Sequence, residues 1–174
     1  MSALDHLLNS PDLFSLFGLE RRFDVDPALL QPRYAELRRQ VESFVRGDDV
    51  ATSAKASTVL RKLEGARLTL SDPVTRGAYL LELSGGGGDP RTGGRPPGFR
   101  QKLERWAADA AALADEMRRE RDRLLGLAAR LFGALGSADN GVVQRHRRQQ
   151  IRDALDAVSD IDHLLRRAEP NPIR

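Results

Sequence analysis

Leu13-Phe14-Ser15-Leu16-Phe17-Gly18-Leu19 and Asp72-Pro73-Val74-Thr75-Arg76-Gly77-Ala78-Tyr79-Leu80-Leu81-Glu82-Leu83 are the stretches from which the architecture of this 174-residue chain follows. The first reads as a short helix over residues 11–18, with Ser10 as N-cap, Pro11 at the first helical position and Gly18 as the stop. Leu13, Phe14, Leu16 and Phe17 make it apolar on most sides, so it should be buried. The second is a helix opened by Asp72 and Pro73 and ending near Leu83. Between them lies room for two longer helices. Asp26-Pro27 opens one that runs to about Val45, with a stripe of Leu30, Tyr34, Leu37, Val41 and Phe44. Pro32 removes a backbone hydrogen bond inside it, which predicts a kink or a late start. Gly47-Asp48-Asp49 is the turn, and a helix from about Val50 to Leu70 follows, with Val59, Leu63, Ala66 and Leu70 on one face.

Outward from this core, residues 84–98 are mostly Gly and Pro and read as a linker. They have neither a Gly-Lys-Ser/Thr ending nor a strand before them, so a phosphate-binding loop is set aside. The helical period then resumes at Phe99, Leu103, Trp106, Ala110, Leu113 and Met117, and again at Leu124, Ala128, Leu131 and Leu135. Arg121 falls between the two stripes, which places a break near residues 114–121. Gly136 to Gly141 interrupts the pattern. The last helix spans about Val142 to Ala168, with Ile151, Leu155, Val158, Ile161 and Leu165 inward. The fold class is therefore all-α: a four-helix unit over residues 1–84, a linker over 85–98 and an antiparallel three-helix bundle over 99–174.

Composition narrows the chemistry. The chain has no cysteine, which excludes disulfides, thiolate zinc sites, iron–sulfur ligation and a cysteine nucleophile. Its formal net charge is +3, but acids are interleaved with the arginines almost everywhere. That pattern belongs to a charge-laced helical protein rather than to a nucleic-acid binder with one basic field. The N-terminus lacks a basic region and a long apolar run, so neither a secretory signal nor a membrane span is expected, and the cytoplasm is the default location.

Candidate sites are few. His6, His146 and His163 lie far apart without metal-ligand spacing, and no Ser/His/Asp set or carboxylate pair stands out. No cofactor and no catalytic residue are expected. Trp106 sits at helical spacing and reads as core. Arg118, Arg119, Arg121 and Arg123 alternate with Asp115, Glu116, Glu120 and Asp122 as local ion pairs. Arg145, His146, Arg147, Arg148 and Arg152 have fewer acids nearby and offer a surface for RNA or an acidic partner, although stacking aromatics are missing beside them.

The two opening segments carry a resemblance. Phe14, Leu16, Phe17, Gly18 and Leu19, then Arg33, Tyr34, Leu37, Arg39 and Gln40, then Pro73, Arg76, Tyr79, Leu80 and Leu81 resemble, in order and distance, the J-domain of the HscB co-chaperones of iron–sulfur cluster assembly. The resemblance is specific over residues 12–83 and extends in layout to the C-terminal bundle. It implies two partners: a heat-shock ATPase chaperone of the HscA/DnaK type and an iron–sulfur scaffold protein. It implies no enzymatic activity, no membrane and no nucleic acid. On the chaperone side it points to Arg33, Arg38, Arg39 and the loop at Glu42, Ser43 and Phe44. In the family that loop carries His-Pro-Asp, which stimulates the chaperone's ATPase, and none of the three is retained here. Phe44 is expected to pack inward with Val41 instead. On the scaffold side the resemblance points to Phe99, Leu103 and Glu104, with Ala107 replacing an acidic contact and Ala157 falling near a family aromatic. A non-stimulating helical adaptor and a basic RNA-associated protein remain as alternatives.

Overall fold

Aspartates punctuate the chain. Asp12, Asp26, Asp49 and Asp72 each precede a helix and accept the amide of a residue in its first turn, at 2.8 to 3.2 Å. The computed structural model describes residues 3–46, 49–85, 94–135 and 140–168. All the elements among these are helices: α1 (Ala3–Leu8), α2 (Leu13–Leu16), α3 (Pro27–Val45), α4 (Val50–Ser71), α5 (Pro73–Leu83), α6 (Phe99–Ala108), α7 (Ala114–Ala134) and α8 (Gly141–Ala168). The expected turn at Gly47-Asp48, residues 86–93 of the linker and residues 136–139 of the later interruption lie outside the described residues.

The chain divides into two compact units, Met1–Arg76 and Gly77–Arg174. In the first, α3 and α4 form an antiparallel hairpin, shown by Tyr34 meeting Glu64 and by Ser53 donating to the carbonyl of Val45. Leu30 and Val41 from α3 and Ala56, Val59, Leu63, Ala66 and Leu70 from α4 are buried, together with Phe14, Leu16 and Phe17. Helix α3 starts at Pro27, so Pro32 does not delay it. Its stripe fails at one end. Phe44 is 39% exposed while Val41 is buried, which corrects the expectation that the two pack inward together. Phe44 lies in the last turn of α3, where the facing start of α4 offers the small Ser53 and an exposed Val50.

Two details of the N-terminus differ from the sequence reading. The N-cap of α2 is Asp12, not Ser10, and the helix is one turn long. Ser10 instead donates to the carbonyl of His6 at the end of α1, a helix that the sequence reading lacks. Helix α1 packs on α4, where Lys62 binds the carbonyls of Leu7 and Leu8 and Lys55 pairs with Asp5. Leu4 is its one buried residue. Its weak amphipathic signal is the reason it escapes a periodicity test.

In the second unit, α6 and α7 are antiparallel, with Lys102 on Glu120 and Arg105 on Glu116. Helices α7 and α8 are antiparallel as well, with Arg121 on Asp162 and Arg147 on the carbonyl of Ala134. The break between α6 and α7 spans residues 109–113, earlier than the spacing suggested. Asn140 caps α8 through the amides of Val142 and Val143. Ile151, Leu155, Val158 and Ile161 are buried as expected, but Leu164 is buried in place of Leu165. Helix α6 as well as α7 packs on α8, which widens and shifts its covered arc.

Candidate protein-interaction faces

The exposed side of α3 carries the chaperone-side residues, but they are not equivalent. Arg33 caps α2: its guanidinium donates to the carbonyl of Phe17 at 2.7 Å and to that of Gly18. Gly18 has a φ of +59°, the left-handed geometry that turns both carbonyls towards that guanidinium. Arg39 is paired with Glu36 at 2.5 Å, and Arg38 with Glu42 at 2.7 Å. Arg38 and Arg39 keep about half or more of their side chains in solvent, at 54% and 73%. Their ion pairs lie along one exposed helix, where such contacts are weak.

The stretch Glu42-Ser43-Phe44 is helix. Ser43 donates its hydroxyl to the carbonyl of Gln40 at 2.7 Å, and α3 continues to Val45. Beneath Arg38 runs a second network. Tyr34 donates to Glu64 at 2.6 Å, and Arg67 both pairs with Glu64 and lies 5.3 Å from the Tyr34 ring centroid. Arg67 first, then the Tyr34 hydroxyl, hold the Glu64 carboxyl down at about 2. Beside this face, a groove of about 520 Å³ is lined by Leu7, Leu16, Phe17, Pro32, Arg33 and Leu37, among others.

Arg76 is the buried cation of the first unit. Its Nε donates to the carbonyl of Phe23 at 2.7 Å, its second nitrogen to the carbonyl of Leu70 at 2.6 Å, and its guanidinium lies 5.3 Å from the Phe23 ring centroid. Burial lowers its pKa, with Asp72 and Asp24 acting against that. The Pro73–Arg76 spacing is thereby explained. Pro73 starts α5, and Arg76, one turn on, ties the loop before α3 to the end of α4.

The scaffold-side residues lie on α6. Phe99 is 2% exposed and meets the buried Trp106 edge-on at 5.8 Å, so it holds α6 down rather than facing outward. Leu103 is half-buried, and Glu104 and Ala107 are exposed. Ala157 is buried in α8. A feature that sequence reasoning missed lies on the same helix. Asp153, Asp156 and Asp160 share one face of α8 and hold Gly94 and Arg95. Burial raises the Asp156 carboxyl, with Arg95 opposing, while Asp160 raises Arg95.

The basic cluster at the start of α8 is partly committed to structure. Arg147 caps the carbonyl of Ala134, and Arg148 donates to the carbonyl of Ser84 at 2.8 Å. This weakens the RNA reading. The arginines of α7 also divide: Arg118 and Arg123 pair locally with Asp115 and Glu120, whereas Arg121 reaches across to Asp162. Among the described residues no group of His, Asp and Glu could hold a metal ion. No helix among them is long and apolar enough to cross a membrane.

No family model matches the chain. The co-chaperone HscB homologue of Chromobacterium violaceum is 32% identical over 142 residues, covering 76% of this chain and 80% of its own. The chain belongs to the HscB co-chaperone family. The HscB homologue of Aromatoleum aromaticum is 43% identical over 76 residues, 42% of either chain. The solved chaperone HscB from Vibrio cholerae shares the fold, with a TM-score of 0.60 at 22% identity over 90% of this chain and 98% of that one. In this chain α3 runs as continuous helix through Glu42, Ser43 and Phe44.

Proposed function

We propose that this HscB family member acts in iron–sulfur protein assembly by binding a heat-shock ATPase chaperone of the HscA/DnaK type without stimulating its ATPase, and by binding an iron–sulfur scaffold. The observation that carries the reading is the unbroken α3, whose Glu42 points its carboxylate back to Arg38. A His at that position can carry positive charge; Glu42 carries negative charge, and Phe44 replaces a carboxylate with a ring. Arg38 and Arg39 remain on the surface for electrostatic docking. Arg33 serves mainly as the cap of α2. On the scaffold side, Leu103 and Glu104 form the contact and Phe99 supports it. The protein works in the cytoplasm, as a binding protein rather than an enzyme, with no cofactor of its own. Its J-like part spans residues 1–84 and its scaffold-binding part 99–174.

A single-turnover ATPase assay with the cognate chaperone tests this. The expected result is salt-sensitive binding with no acceleration of hydrolysis. The triple variant Glu42→His, Ser43→Pro, Phe44→Asp runs alongside. Clear acceleration by the unmodified chain would overturn the proposal.

A further inference from the structure

Helix α6 is ten residues long, and its N-cap, Gly98, has a φ of +75° and no side chain to bond the free amides. A helix this short is marginal alone, so something must hold it. Phe99 and Trp106 supply burial at two points of one face. Lys102 and Arg105 reach α7 through pairs that are partly solvated. The contact that ties the start of α6 to α8 lies just before the helix. The amide of Gly94 donates to Asp153 at 2.9 Å, and Gln149 holds the same carboxylate at 2.8 Å. Arg95 places Nε and a terminal nitrogen on the two oxygens of Asp160, at 2.6 and 3.3 Å, and its other nitrogen 3.4 Å from Asp156. Two-pronged arginine–carboxylate contacts fix direction as well as distance. Between Arg95 and the helix lie only Pro96, Pro97 and Gly98. The prolines lock φ, and the amide of Phe99 closes onto the carbonyl of Pro96 at 3.0 Å. The anchor is therefore passed to α6 through a connection with little slack.

We propose that Arg95 is the positioning residue of the α6 face: clasped by Asp156 and Asp160, it fixes the entry of α6 against α8 and so sets the surface that carries Leu103 and Glu104. The value of that surface to a scaffold protein rests on the function proposed above; the clasp itself does not. A single carboxylate on α8 would hold Arg95 loosely. Three carboxylates at spacings of three and four residues, with a backbone amide and a guanidinium bound between them, hold it in one register.

Trp106 is the sole tryptophan and is fully buried on α6, so its emission reports the docking of that helix. Arg95→Ala, Arg95→Lys and the exchange of charges, Arg95→Asp with Asp160→Arg, are compared in the full chain. Amide hydrogen exchange and Trp106 emission are read first. For Arg95→Ala, exchange over residues 99–108 should rise on the order of tenfold, with Trp106 shifted to the red and α7 and α8 unchanged. Arg95→Lys should fall between, and the charge exchange should recover most of the protection. Global loss of helix in Arg95→Ala shifts the comparison to Asp160→Asn, which should loosen α6 alone. Affinity for an iron–sulfur scaffold protein is read second. It should fall with α6 protection in Arg95→Ala, whereas Leu103→Ala should lose affinity with protection intact. Unchanged α6 exchange and Trp106 emission in both Arg95→Ala and Asp160→Asn would overturn the clasp. Loosened α6 in a chain that never bound scaffold would uphold the clasp and sink the scaffold reading instead.

Discussion

Arg76 shows how a short sequence motif is a physical device. It brings a positive charge into the interior beside two backbone carbonyls. The carbonyl of Leu70 belongs to the last turn of α4, and that of Phe23 to a loop with no helix of its own. One side chain satisfies both and also covers the Phe23 ring. Removing it takes a charged donor from the Leu70 carbonyl, leaves the Phe23 carbonyl with the amide of Val25, and opens space beside Phe23. Arg76→Ala should therefore destabilise the chain by roughly 1–3 kcal/mol, the scale of losing hydrogen bonds from a charged donor to buried carbonyls. Arg76→Lys should recover only part of this, because one ammonium lacks the planar fork that reaches both carbonyls. Urea unfolding followed by circular dichroism measures both, and an Arg76→Ala variant as stable as the parent would contradict the role.

At the scale of elements, the α3–α4 hairpin is closed by apolar stripes and latched by charge. Leu30 and Val41 of α3 and Val59, Leu63 and Leu70 of α4 are buried, as their spacing predicts. The latch is Tyr34, Glu64 and Arg67, joined at the rim by Arg38, whose nitrogen lies 3.3 Å from the Tyr34 hydroxyl. Folding depresses the Glu64 carboxyl from 4.5 to about 2, through Arg67 first and then Tyr34. A depressed carboxylate stabilises the folded state above its unfolded pKa, and that stabilisation is lost as pH falls through the folded one. The window therefore lies between about 4.5 and about 2. Glu64→Gln should melt below the parent at pH 7, and the gap should close by pH 2. Thermal unfolding across that range is the measurement, and a gap that persists unchanged into acid would show that the charge of Glu64 is not its source. Exposure of the pair to solvent keeps the effect small.

At the scale of the whole molecule, the Gly- and Pro-rich segment after α5 separates the parts for which different partners are proposed. Gly and Pro in such density are the composition of a linker. Trypsin has two arginines there, Arg91 and Arg95, and they should behave differently. Arg95 is engaged by α8 and followed by Pro96, whereas Arg91 stands between Pro90 and Thr92. Limited trypsinolysis should cut first after Arg91 and leave Arg95 intact, as read by mass spectrometry of the early fragments. Initial cleavage within α4, at Arg61, Lys62 or Arg67, would argue against this organisation.

The long helices were legible in the sequence because their information is local. Asp26-Pro27 and Asp72-Pro73 begin helices by capping, Gly18 ends one by its left-handed φ, and apolar spacings of three and four place Val59, Leu63 and Leu70 inward. The motifs likewise located the two candidate faces. Which residues on those faces stand free was decided only by tertiary structure. Arg33 and Phe99 read as contact residues because sequence spacing reports the face of a helix and not what has already settled on it. The chain's fold directs Arg33 to the end of α2 and covers Phe99 with Trp106 as neighbour. Phe44 keeps a stripe spacing but stays 39% exposed, because the start of α4 that faces it offers only small or exposed side chains. Helix α1 has only a weak local signature, and the Arg95 clasp has none. Lys55 and Asp5, Lys62 and the carbonyl of Leu7, or Arg95 and Asp160, meet across 50 residues and more, and such partners are chosen by how the helices pack rather than by any pattern along the chain.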